Sequence, residues 1–197
     1  MIRGILPAVL AAILLVPGCW RSDGQNGNEV LQEIEIQGTW SRNYDSIEEI
    51  LTDPDFHLAV YAEMIEYTEY RNLAPPHAQQ DSLLPYSFVE FKVLEVFVNN
   101  TGAEIGETIT VAHLGGVFNG IRYIHRQVPF YLERDKVILF LYASEDFPYE
   151  TLSPYTRLLV EGDRVYTLDH RHPDVWATLK EVDGISLEEL RTLLTGR

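Results

Sequence analysis

The residues best suited to chemistry lie in one short stretch, Asp169-His170-Arg171-His172-Pro173-Asp174. On a strand continuing through it, His170 and His172 share a face, because strand side chains alternate with period two. Two imidazoles with the Asp174 carboxylate form a donor set that suits zinc or copper. The plainer reading is a polar strand end before Pro173. His113, beside Gly115-Gly116, and His125 are further imidazoles, which only the fold can bring into such a site. A second concentration is of positive groups: Arg122, Arg126, Arg134 and Lys136, with Tyr123, Phe130 and Tyr131 between them. Guanidinium groups grip carboxylates and aromatic rings offer stacking surface. His113, Gly115, Gly116, Arg122, Tyr123, His125 and Arg126 are therefore the candidate surface for an anionic ligand or a partner's carboxylates. Pairing with the chain's own Asp and Glu is the competing explanation.

Catalytic templates fail in turn. There is no G-x-S-x-G elbow, H-E-x-x-H helix, P-loop or dinucleotide fingerprint. With Asp+Glu at 30, paired carboxylates discriminate nothing. No catalytic residue is assigned and a non-enzymatic protein is expected, with a hydrolase using an unrecognised site as an alternative. Lys+Arg is only 15, so the formal charge is −15. A phosphate backbone is repelled by such a chain, which excludes nucleic acid as the expected partner. At 197 residues and 46% hydrophobic content, one domain can bury a core without a disulfide or a metal.

Cys19 is the only cysteine, so no internal disulfide exists. Before it, Arg3 supplies a positive start and Ile5–Val16 an apolar run, the pattern of a signal peptide and short for a permanent span. Val16-Pro17-Gly18-Cys19 resembles the lipobox of bacterial lipoproteins. Gly18 and Cys19 match; Pro17 departs, since a small residue or valine is commoner there. The resemblance implies cleavage before Cys19, diacylglycerol on its thiol, and an extracytoplasmic protein whose membrane partner is reached through that lipid. Trp20 stands where the inner-membrane retention signal has aspartate, which points to the outer membrane in a host with two membranes. Trp20–Glu29 is too polar to order itself and reads as a tether. The organisation is then residues 1–18 as signal peptide, 19–42 as lipidated cysteine and tether, and 43–197 as one domain.

Within that domain the strands dominate. Val30–Trp40 alternates enough for a short strand or covering segment, and Ser46 to Glu49 forms a capping box for a helix ending before Asp53-Pro54. Phe56–Tyr70 admits a helix by composition, but its β-branched and aromatic tenor favours a strand, and Arg71–Leu84 reads as an exposed loop. In Ser87–Val98 the apolar set is Val89, Phe91 and Val93, then Leu94, Val96 and Val98. That change of phase requires a bulge, or passage from one packed surface to another. Asn99–Gly102 is turn chemistry, Glu107–His113 a strand, Val117–Asp135 a linker, and Lys136–Tyr142 the most buried strand. Gly162-Asp163 joins strands at Arg157–Glu161 and Arg164–Asp169. Ser186 to Glu189 caps a last helix with Leu187, Leu190, Leu193 and Leu194 on one face, stopped by Gly196.

The expected class is mostly β: a small OB-like antiparallel β-barrel with a short N-terminal helix and a C-terminal helix. Ala59–Glu66, Tyr86–Val98, Glu107–Val111, Val137–Tyr142 and Asp163–Leu168 resemble, in order and length, the OB-fold domains of the netrin-like group. That group includes the tissue inhibitors of metalloproteinases, and a set of bacterial secreted proteins is similar. The disulfides of the animal members are missing here, and so is their N-terminal cysteine wedge, so inhibition is not carried over. The resemblance implies a binding scaffold whose function sits in its loops. The expected function is a lipid-anchored binding or interaction module of the bacterial envelope, with a protein or envelope component as partner and no required cofactor. The alternative is a metal-binding lipoprotein using His170 and His172. Replacing Cys19 with alanine should release the protein from membranes, as read by fractionation; retention of membrane association would contradict the anchor.

Overall fold

The computed structural model describes residues 32–36, 43–73, 84–118, 120–143 and 149–196. The expected signal peptide, Cys19, the expected Trp20–Glu29 tether and most of the expected loop after Arg71 lie outside them.

Five strands close a ring. β2 (Leu58–Leu73), β3 (Leu84–Asn99), β4 (Thr108–Leu114), β7 (Lys136–Tyr142) and β8 (Glu150–Thr151) bond in the order β7-β2-β3-β4-β8, and β8 returns to β7. This is the small β-barrel expected, with a qualification: β4 and β8 run parallel, and the others in the ring pair antiparallel. The β4–β8 seam has one residue pair, Ala112 with Glu150, beside a bond from Ala112 N–H to Tyr149 C=O at 2.9 Å. β9 (Leu158–Glu161) continues along the same edge of β7, after a 3-10 turn at Pro154–Thr156 interrupts it. β8 and β9 thus act as one broken strand. β10 (Arg164–Thr167) hairpins back on β9 around Gly162, whose φ of +66° suits glycine.

β7 explains the arrangement of the core. Val137–Leu141 are fully buried, which a strand achieves only when both faces are covered. Val137, Leu139 and Leu141 point into the barrel with Leu58, Val60, Ala62, Val89, Phe91 and Val111. Ile138 and Phe140 point outward, under α1 (Ile47–Thr52) and α2 (Leu187–Thr195), against Ile47, Ile50, Leu190 and Leu194. Both helices start as expected. Ser46 accepts from Glu49 N–H, although Glu49 reaches back to Asp45 N–H rather than to Ser46. At α2 the reciprocal box of Ser186 and Glu189 is complete. Leu190 and Leu194 are buried there, whereas Leu193 is exposed.

The long strands bend through bulges. Pairing skips Leu94 and Phe97 on β3, and Ile65 and Thr68 on β2. The bulge at Leu94 is where the change of phase was expected, and the strand does pass between surfaces: Val89, Phe91 and Val93 serve the barrel interior, and Phe97 and Val98 the helix-covered side. The expected inward set was wrong in detail. Leu94 and Val96 are exposed, because the second bulge at Phe97 turns that side chain under the helices instead.

The expected linker after Val117 is a hairpin. β5 (Gly116–Phe118) and β6 (Ile121–Ile124) pair antiparallel, and β1 (Gln32–Glu35) joins β6 in parallel. β1 falls within Val30–Trp40, so this end of the 19–42 segment is docked on the domain. The three-stranded sheet covers Tyr86, Phe88, Ala112 and Leu114 on the outside of β3 and β4, with Ile36 and Tyr123 completing the cluster.

Candidate functional site

Two places on this frame have the geometry of a site: an open groove beside Trp176 and a small cavity at the β4–β8 seam.

The groove is built by the segment after β10. That strand ends at Thr167, whose hydroxyl donates to Asp169 Oδ1 at 2.6 Å while its N–H donates to Asp183 Oδ1 at 2.9 Å. Those bonds turn Leu168–His170 into a 3-10 turn. The chain then runs across the barrel end, pinned at each step. Trp176 N–H donates to Gln127 Oε1 at 2.6 Å, Gln127 Nε2 to Asp174 C=O at 3.1 Å, and Thr178 Oγ1 to Tyr155 C=O at 3.2 Å. Val175, Ala177 and Leu179 are buried, which leaves the Trp176 indole 55% exposed, 5.5 Å from the Tyr155 ring. Leu179 holds a left-handed backbone, φ 59° and ψ 38°, which costs a non-glycine residue about 1 kcal/mol or more. Burying its side chain, worth roughly 2 kcal/mol, offsets that cost. The reversal creates an opening of about 440 Å³ between Trp176, Ala177, Leu179 and the polar side chains of Asp45, Asp169 and Lys180. Lys180 Nζ pairs with the Asp169 carboxylate. The opening is a wide surface depression rather than an enclosed pocket, with one aromatic wall and a few polar groups.

The seam cavity is lined by His113, Val128, Tyr131, Glu150, Pro154 and Arg157, with a volume of about 20 Å³. His113 sits near the end of β4, its ring 5.3 Å from that of Tyr131 and 5.4 Å from that of Phe130. Arg157, just before β9, lies 4.1 Å over the Tyr131 ring and donates from Nη2 to Pro129 C=O at 2.8 Å. Burial above all, then the Arg157 charge and His125, push the His113 imidazole down to about 3, so it is neutral in ordinary conditions. Burial raises the Glu150 carboxyl, against the hydroxyl that Tyr142 donates to it at 2.6 Å.

The residues singled out from sequence are distributed as follows. His170 stacks on Tyr166 at 4.0 Å and faces Glu161 at 3.6 Å, whereas His172 is half-buried, and burial and then Arg157 and Arg171 lower its proton affinity. They do not share a strand face, because the 3-10 turn breaks the period of two that the expectation required. Asp174 is exposed. Among the described residues no three His, Cys, Asp or Glu side chains are gathered closely enough to hold a metal. On the other candidate surface, His113 and His125 are buried rather than presented. Gly115 and Gly116 serve packing: a Cβ on Gly115 would lie 2.8 Å from Tyr123 C=O, and one on Gly116 would overlap the Tyr70 ring. Tyr70 Oη in turn accepts from Val117 N–H. Tyr123 is half-buried, Arg122 lies 5.3 Å over the Phe130 ring, and Arg126 pairs with Glu35 at 2.9 Å. Trp176, Leu179 and Arg157 had no sequence motif to mark them; an apolar tryptophan in a polar turn was the only visible signal.

In comparisons with known proteins, no family model, no curated protein and no solved structure matches the chain.

A neutral buried imidazole has a consequence for acid stability. Between its folded value near 3 and the ordinary value of about 6.5, the unfolded chain binds the proton and the folded protein does not, so stability falls as pH falls. His113 alone contributes a slope approaching about 1.4 kcal/mol per pH unit in that window. In denaturant titrations between pH 6.5 and 5, His113→Gln should flatten the loss seen in the unaltered protein. His172 contributes the same sign in both proteins and cancels in the difference. An unchanged slope would contradict a buried neutral His113.

Proposed function

We propose that the protein is a non-enzymatic binding module of the bacterial envelope, anchored by lipid on Cys19, with an OB-like barrel that presents the Trp176 groove to its ligand. The observation that carries this reading is the groove itself: a half-exposed indole over an opening of about 440 Å³, its segment held by the Trp176 N–H on Gln127 and the Thr178 hydroxyl on Tyr155 C=O. An aromatic side chain left in water at a concave site offers large apolar area at low conformational cost. The lipobox resemblance supports the location, outside the cytoplasm and at the outer membrane in a host with two. The ligand is a protein segment or an envelope component, and the charge of −15 argues against nucleic acid. The metal-binding reading gains nothing from the placement of His170, His172 and Asp174.

Saturable capture from envelope extract tests the proposal. The immobilised protein should retain a partner to saturation, and Trp176→Ala should weaken retention by about tenfold or more, as expected of an interface anchor, with an unchanged thermal midpoint. Absence of saturable capture would contradict the binding function. Equal capture by the variant would contradict the groove.

A further inference from the structure

The seam cavity contains two polar atoms with nothing to bond. His113 Nε2 and Arg157 Nε lack hydrogen-bond partners, although each residue is only 4% exposed. Buried polar atoms are nearly always satisfied, so a pair of orphans on residues that line one cavity calls for an occupant. Arg157 supplies the stronger demand. Its Nε is donor-only, and the guanidinium stays charged at any accessible pH. Among the described residues it forms no ion pair; Pro129 C=O and the face of Tyr131 are its partners. A carbonyl dipole and a ring quadrupole compensate only part of a full charge taken out of water.

We propose that this cavity is a binding site for one monatomic anion of the chloride class, held by Arg157 Nε and His113 Nε2. The volume of about 20 Å³ admits a single water-sized particle and excludes a carboxylate- or phosphate-bearing ligand. Water would satisfy the two nitrogens and leave the charge uncompensated; a halide answers both. Glu150 also lines the cavity; Tyr142 donates to its carboxyl at 2.6 Å, and burial raises its proton affinity, which lessens its opposition to an anion. The location gives the ion a role. His113 belongs to β4 and Arg157 to the interruption in the broken strand opposite, so the anion joins the two sides of the seam that strand pairing holds through one residue pair. This site is separate from the Trp176 groove and does not depend on it.

Crystals grown with bromide replacing chloride provide the direct test. An anomalous peak against Arg157 Nε and His113 Nε2 is expected, and a light, non-anomalous water there would overturn the site. In solution, the thermal midpoint should be higher in chloride than in an equal concentration of gluconate, an anion too large to enter, because a ligand bound only by the folded state stabilises it. Arg157→Met should abolish that difference. A midpoint indifferent to the anion would overturn the proposal. Should Arg157→Met fail to fold, the bromide map of the unaltered protein still decides.

Discussion

The structure depends on the burial of β7 on both faces and both edges. Its backbone bonds β2 on one side and the broken strand β8–β9 on the other. Its side chains divide between the barrel interior and the helix-covered layer, and from Val137 to Leu141 none meets solvent. Five apolar residues in water would be strongly unfavourable, at roughly 1.5–3 kcal/mol for each large side chain. Every other element can be understood as cover for this strand. β2 and β3 supply one wall, α1 and α2 the outer lid, and the 168–179 segment contributes Leu168, Val175 and Ala177 to the interior.

The same requirement determines where irregular backbone is tolerated. The edge of β7 is shared by β8 and β9, and the interruption at Pro154–Thr156 between them places Arg157 beside the seam. Past β10, burying Val175, Ala177 and Leu179 leaves Trp176 to face outward. Groove and cavity are thus both by-products of closing one small barrel with a broken strand. A barrel of this kind carries function at its interruptions and loops rather than in its ladders.

Much of the frame was legible in the sequence, for local reasons. Lys136–Tyr142 announced a doubly covered strand by its continuous apolar run, Ser186 to Glu189 announced a capped helix, and Gly162-Asp163 a tight turn. The bulge at Leu94 was legible because the alternation itself breaks there. Its consequence was not, since the second bulge at Phe97 follows from pairing with β2 rather than from any local pattern. The site was harder to read. His170 and His172 have the spacing of strand ligands, but Thr167 bonds Asp169 and Asp183, and the latter lies 16 residues on. The basic stretch looked like a presented surface, whereas His125 within it and His113 before it are interior and Arg126 pairs with Glu35 from β1. Arg157 sits beside an apolar run with nothing nearby to indicate that its charge is buried.

Native-state amide hydrogen exchange tests the central role of β7 most directly, because it reports the opening free energy strand by strand. The amides of Ile138, Leu139 and Phe140 should exchange only through global unfolding, with the free energy that denaturant titration gives, and later than those of β1 and β6. Exchange of Leu139 and Phe140 by local opening, while the β2–β3 ladder remains protected, would contradict the account.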